Sequence, residues 1–323
     1  MDVILLGIKN NNFIHLGHLL GVILPSIKLI KKSKKYLLFI LIANLHSLSS
    51  SYKNNNQYIY KIISVILSFN INFKKILIYK QSDIIEILEI FWYFNCIYSL
   101  KRLKLLHTFK KYKFNMNISS FIYPILMSVD IIIVNAKYVF IGKDQIQHIE
   151  ICNILINKIN IFNKYNKYIF NNVKYIISKK YNKILGNNFK KMSKSYSNNS
   201  CNIFEKKKIK NFLFKIKTSN LSIQSINIKK NYLFILYKYF FKKKDIIYFL
   251  NKCKNNKYNF YKAKLDLYNK ILNKYKKNIK KYIFFLNNKF ILKNILLKSK
   301  YIIKKIIKKY INIIKNKLYN YII

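Results

Sequence analysis

The first 160 residues constrain the fold most, because their hydrophobic period keeps switching. Short apolar runs at 3–6, 36–43, 75–79 and 138–141 alternate with longer stretches at 16–30, 58–69, 84–98, 123–135 and 145–159 that repeat at helical spacing. A brief continuous apolar run suits a strand covered on both faces; the longer pattern suits a helix lying over it. Strands separated one by one by helices pair in parallel, since each return crossover uses a helix. The expectation is an α/β domain with a parallel sheet. Ligands of such sheets sit beyond the carboxyl ends of the strands, next to helix N-termini.

After about residue 200 the strand signals fade. Lysine-rich helical patterns follow, with asparagine-rich breaks near 255–259 and 287–288. The last segment, 299–323, places Ile302, Ile303, Ile306, Ile307, Tyr310 and Ile314 on one face and lysines on the other. Packing against the rest of the protein is the simpler expectation; a basic helix facing RNA or a membrane surface is the other. No internal repeat is visible.

With 323 residues the chain can hold two domains and a sizeable core, and 52% hydrophobic residues exclude a disordered tail despite a formal charge of +52. All but one of the basic residues are lysine, the exception being Arg102. Lys, Asn, Ile, Tyr and Phe dominate, and all have codons rich in A and T. A genome under strong AT bias, such as that of a reduced endosymbiont or an organelle, explains much of this, so part of the charge is drift. The remaining consequence is physical: such a surface attracts polyanions, with strong salt dependence. The run 37–43 is too short to span a bilayer, and no membrane association is expected. Cys96, Cys152, Cys201 and Cys253 form no CxxC pair, which suits reduced, mostly buried thiols in a reducing compartment and shows no zinc or iron–sulfur framework. No basic leader precedes the first strand, so a cleaved signal is not expected and the cytoplasm is the expected location, with an organelle matrix as the alternative.

Four segments carry chemistry. His15-Leu16-Gly17-His18 opens the helix after the first strand. Its imidazoles, three apart, share a face beside the helix N-terminus, where N–H groups and the dipole favour phosphate. Gly17 lets a nucleotide approach the backbone. In 123–130, Pro124 fits a helix start. Met127 and Asp130 fall on one face of that helix, and a carboxylate in so apolar a run needs a partner. In 142–150, Gly142 precedes Asp144 and Gln145 at a strand-to-helix turn, where Asp144 suits an N-cap. Finally, Lys191-Met192-Ser193-Lys194-Ser195 offers two ammonium groups and two hydroxyls, suited to a departing polyphosphate.

In this order the segments resemble the tryptophanyl-tRNA synthetases, which are class I aminoacyl-tRNA synthetases, over roughly the first 220 residues. Further matching positions are Gly7, Asn44-Leu45-His46, Gln81-Ser82, Asn95-Cys96, Asn160, Ile184-Leu185-Gly186 and Thr218-Ser219. The histidine motif with Lys191–Ser195 marks class I; the Tyr123-Pro124…Met127…Asp130 block followed by Gly142-X-Asp144-Gln145-X-X-His148 favours tryptophan over tyrosine. The resemblance implies a Rossmann-type nucleotide-binding catalytic domain over 1–195 and a lysine-rich helical tRNA (anticodon)-binding domain over 196–323. It implies that ATP and L-tryptophan give tryptophanyl-AMP, and that the tryptophanyl group then passes to tRNA(Trp). His15, His18, Lys191, Ser193, Lys194 and Ser195 would be catalytic. ATP would meet Lys9, Asn10, Asn11, Gly17, His18, Gly142, Lys143, Asp144, Ile184, Met192 and the residues of the lysine loop. Tryptophan would meet Asp130 through its indole N–H, with Met127, Tyr123, Gln145 and His46 around it. Magnesium would bridge the phosphates without dedicated protein ligands, and the family works as a homodimer. Departures include Lys9-Asn10-Asn11-Asn12 where the family has Gln-Pro-Ser-Gly, Lys143 in place of an acidic residue, and Tyr196 in place of aspartate. A lysine-rich segment at 109–113 leaves open whether Lys110 or Lys111 reaches phosphate. The alternatives are tyrosine–tRNA ligation and an inactive tRNA-binding paralogue.

Overall fold

The computed structural model describes residues 1–49, 56–106, 117–161, 169–178, 202–216, 232–254 and 259–322. Ile184, the loop of Lys191, Met192, Ser193, Lys194 and Ser195, and Lys110 and Lys111 lie outside the described residues.

Among the described residues five strands form one parallel sheet: β1 (Asp2–Ile8), β2 (Tyr36–Ile42), β3 (Ile76–Lys80), β4 (Ala136–Phe140) and β5 (Lys174–Ile176), in the order β3-β2-β1-β4-β5. β1 and β2 pair over their whole length, from Asp2 opposite Tyr36 to Ile8 opposite Ile42. Side chains of successive residues point to opposite faces. Ile4, Leu6, Ile8, Leu38, Ile40 and Ile78 therefore enter one core, and Leu5, Phe39, Leu41 and Tyr79 the other. Strand β5 has no counterpart in the sequence reading. It is three residues long with Lys174 and Tyr175 exposed, so it lacks an apolar run, and its pairing with β4 alone defines it.

Two helical expectations change. The stretch expected at 16–30 is three pieces: Leu16–His18, a π-helical turn Leu19–Ile23, and Leu24–Lys32. Pro25 supplies a reason, since it has no N–H to return to Gly21, and a wider turn stands where a regular one would leave that gap. Pro124 is not at a helix start. The helix runs Ile118–Ile132 with Pro124 inside it. The proline forfeits the bond to the Ser120 carbonyl, while Ile125, Leu126 and Val129 on the following turn are buried and hold the helix in place.

The C-terminal helices pack onto the sheet. Helix Phe260–Asn287 buries Ala263, Leu267, Ile271, Tyr275, Ile279 and Tyr282 in the first core. Helix Lys289–Ile322 crosses from one core to the other along the β3 edge: Leu292 and Leu296 join the first, Ile303, Ile307, Ile311, Ile314 and Leu318 the second. At the crossing the Ile78 N–H donates to Ser299 Oγ at 3.4 Å, so the edge strand is covered. Ile302 is turned outward at 42% exposure, and Ile311 and Leu318 extend the buried line instead. Lys264 is buried in helix Phe260–Asn287 and donates to the Phe214 and Ile216 carbonyls at 3.3 and 2.8 Å. It thereby closes the end of helix Lys206–Phe214. No helix among the described residues is long and apolar enough to cross a membrane.

Candidate active site

Strand order reverses between β1 and β4, and a cleft of about 440 Å³ opens beyond their carboxyl ends. Open α/β sheets bind ligands at such a switch point, and the volume is ordinary for a small-molecule site. Gly7 lies on the wall, and a Cβ added there would meet no atom within 4 Å, so its missing side chain leaves cleft space.

One end of the cleft holds His15 and His18. His15 is not within the helix but caps it: its φ of −88° and ψ of 167° are extended, and its Nδ1 accepts from the His18 N–H at 3.3 Å. An accepting Nδ1 carries no proton, so the His15 proton is on Nε2. The two rings stack at 3.8 Å. Backbone N–H groups of the helix start and the imidazoles thus face one region, as an anion site requires. The preceding loop is tied down by the Asn10 N–H, which donates to Ser47 Oγ at 3.0 Å.

The other end has a buried polar floor. Asp130 is 2% exposed. Gln81 Nε2 donates to both its oxygens, at 2.9 and 2.8 Å, and His46 Nε2 lies 3.1 Å from Oδ2. The Gln81 amide cannot be reversed, because its Oε1 accepts the Leu45 and His46 N–H groups at 3.1 and 3.2 Å. Burial pushes the Asp130 carboxyl above the usual carboxylate range, and the bonds from His46 and Gln81 pull it back. His46 Nδ1 is buried with no hydrogen-bond partner among the described residues. The Tyr79 hydroxyl below is in the same position; its burial, then the Asp130 charge, raises its pKa well above the ordinary value.

Beside this floor Tyr123 Oη lies 3.0 Å from His148 Nε2, and His148 Nδ1 lies 2.6 Å from Gln145 Oε1. Gln145 Nε2 donates to Asp144 Oδ2 at 3.1 Å. Asp144 therefore sits inside the turn Lys143–Gln145 and binds Gln145; among the described residues no side chain caps that turn. The Lys9 ammonium stands 5.2 Å from the Tyr123 ring centroid. Lys9 reaches solvent through the cleft mouth, yet the protein around it holds its pKa below the lysine value.

The cleft brings together Lys9, Asn11, His15, Gly17, His18, His46, Tyr123, Met127, Asp130, Gly142, Asp144 and Gln145. Asn10 and Lys143 stay off its wall: Asn10 is 2% exposed, and Lys143 points outward.

A family model described as tRNA synthetases class I (W and Y) matches residues 3–282. The tryptophan–tRNA ligase of Rickettsia prowazekii (strain Madrid E) is 30% identical over 311 residues, covering 92% of each chain. This chain belongs to the tryptophanyl-tRNA synthetases. A tryptophan–tRNA ligase of Campylobacter jejuni is 29% identical over 227 residues, 68% of this chain and 69% of that one. The crystal structure of Campylobacter jejuni tryptophanyl-tRNA synthetase complexed with ADP and tryptophan superposes with a TM-score of 0.87 at 25% identity, covering 98% of this chain and 99% of that one. Tyrosyl-tRNA synthetase of Aeropyrum pernix, at 13% identity and a TM-score of 0.62, shares the fold.

Within this synthetase scaffold two residues carry no role in the sequence reading. Gln81 orients Asp130, and His148 joins Tyr123 to Gln145. The signal for Gln81 was its position, a polar residue directly after the carboxyl end of β3. His148 had a weaker one: it falls one helical turn after Gln145, on the same face.

Proposed function

We propose that this cleft activates L-tryptophan with ATP and passes the tryptophanyl group to tRNA(Trp). What carries the reading is the floor around Asp130. A buried carboxylate, held at both oxygens and lining the cleft, accepts a hydrogen bond from a side-chain donor such as an indole N–H. Met127 beside it would face the ring. A site built on one such bond rejects lookalikes lacking the donor by a large factor.

Tyr123, Gln145 and the unpartnered His46 Nδ1 would serve the amino-acid backbone. Gly7, Gly17, Gly142 and Asp144 would admit adenosine, and His15 and His18 would hold the phosphates, with the His15 Nε2–H as a donor. The attack of the amino-acid carboxylate on the α-phosphorus needs alignment and charge neutralisation, with no covalent enzyme intermediate. Lys191, Lys194, Ser193 and Ser195 would meet pyrophosphate as it leaves, with Met192 and Ile184 toward adenine. Magnesium would come with the triphosphate. Among the described residues no group of three or more His, Cys, Asp or Glu is arranged to hold an ion.

The chain would act as a homodimer in the cytoplasm. Leu88 and Trp92 on helix Glu86–Ile97, with Ile85 at its cap, are 50%, 68% and 71% exposed, an apolar stripe that a second copy would cover. Trp92 is the single tryptophan, so its fluorescence should shift to the blue as the protein is concentrated through dimerisation. Free thiols at Cys96 and Cys152 suit a reducing interior. The division into a catalytic unit over 1–195 and a tRNA-binding unit over 196–323 belongs to the same reading. ATP–pyrophosphate exchange decides the central point. Exchange with tryptophan and none with tyrosine is expected; exchange with tyrosine alone, or with neither, overturns it.

A further inference from the structure

The geometry points to His148 as a positioning residue that sets the polarity of the Tyr123 hydroxyl: the neutral imidazole takes the phenol proton, so the Tyr123 oxygen meets the amino acid's α-ammonium as an acceptor. This rests on the amino-acid site proposed above.

The direction of each bond follows from the last one in the series. Asp144 Oδ2 can only accept, so the Gln145 group 3.1 Å from it is the amide nitrogen. The Gln145 oxygen therefore faces His148 Nδ1, 2.6 Å away, and Nδ1 must carry a proton. Nε2 then has a proton only if the ring is a cation. The groups facing the ring decide that. Burial disfavours the cation most; Asp144 opposes this, and Lys9 and His46 reinforce it, leaving the His148 pKa lowered to about 4. Nε2 is thus a bare lone pair, and the Tyr123 O–H, 3.0 Å away, donates into it. A phenol has one proton. Once it is committed to His148, the oxygen meets any other group as an acceptor.

The ring has no freedom to do otherwise. His148 is 1% exposed, and its ring meets the Tyr123 ring edge-on with centroids 4.9 Å apart. Tyr123 and Gln145 both line the cleft, while His148 stands behind them. It touches no substrate and acts through its two neighbours. Without it Tyr123 could turn its proton into the cleft, toward an ammonium that also brings only protons.

The test is a set of substitutions read by ATP–pyrophosphate exchange. His148→Asn keeps a donor for Gln145 and loses the acceptor for Tyr123. It should raise the KM for tryptophan about ten-fold, the scale of one hydrogen bond to a charged group, with the KM for ATP unchanged. His148→Gln can place a carbonyl oxygen where Nε2 was and should recover most of the loss. In a Tyr123→Phe background His148→Asn should add nothing, because the hydroxyl it orients is gone. Multiplicative effects of His148→Asn and Tyr123→Phe, equal losses for both substrates, or a His148→Gln variant as impaired as His148→Asn would overturn the proposal. Should the variants fail to fold, nitrogen NMR of the wild-type histidines answers the same question. At pH 7 His148 should be neutral with its proton on Nδ1, and a charged or Nε2-protonated ring would refute it. Wild-type exchange with tyrosine alone would instead remove the substrate reading and leave the His148 polarity to be tested with that amino acid.

Discussion

At the Asp130 end of the cleft, direct side-chain bonds fix the groups. Gln81 divides its amide between two backbone N–H groups and the carboxylate, and Gln145 spans His148 and Asp144. At the other end the wall is Gly7 and a histidine-capped helix start, with open space where a side chain on Gly7 could stand. The two ends suit different tasks. Choosing one amino-acid side chain requires donors and acceptors that cannot turn to suit a competitor. Passing a nucleotide through bond cleavage requires room and charge that meets the phosphates late in the reaction. The role proposed for Lys191 and Lys194 belongs to that second task.

The comparison can be broken most forcefully at the floor. Asp130→Ala should lower kcat/KM for tryptophan by about 10³-fold, since it removes the acceptor and strands the Gln81 amide. The KM for ATP should stay within about two-fold. Equal losses for both substrates would mean that the two ends are not separate. Lys194→Ala comes next. It should lower kcat for adenylation by about 10²-fold with little change in tryptophan binding, the pattern for a contact made late in the reaction; weakened tryptophan binding instead would place this loop at the wrong end.

A pH series sharpens the contrast. The His148 pKa is about 4 against an ordinary 6.5, so between these values the unfolded chain binds a proton that the folded one refuses. Folding stability should therefore fall as the pH drops from 6.5 toward 4, by roughly 3 kcal/mol at most from this group. His148→Asn should flatten that part of a stability–pH curve measured by denaturant titration. An unchanged slope would mean that the imidazole is not held neutral. The smallest effect concerns Tyr79, whose buried hydroxyl has no partner among the described residues. Tyr79→Phe should raise stability by about 1 kcal/mol and leave tryptophan KM unchanged; lost stability would reveal a partner for that hydroxyl.

Much of the parallel sheet was legible because strands buried on both faces read as continuous apolar runs: β1 to β4 fall within a few residues of their expected places. β5 escaped because three residues at an edge need no apolar pattern. Pro124 misled because a proline marks a helix start only where nothing upstream is helical, and here the helix already begins at Ile118. His15 was read as a helical residue, yet a cap is set by φ and ψ that spacing does not report. Spacing brought Met127 and Asp130 into view on one helix face, and the family resemblance added Tyr123, Gln145 and His46 beside them. It could not reveal that Gln81 and His46 arrive from two other strand ends to hold Asp130, because that contact depends on the order of strands in the sheet.

The claim that the Asp130 carboxylate reads an indole N–H can be measured directly with an isostere of tryptophan in which sulfur replaces the indole N–H. In ATP–pyrophosphate exchange the wild-type protein should prefer tryptophan by at least about 10²-fold, and Asp130→Ala should lose that preference by treating the two alike. Wild-type protein that exchanges equally well with both, or an Asp130→Ala variant that still discriminates, would contradict the account.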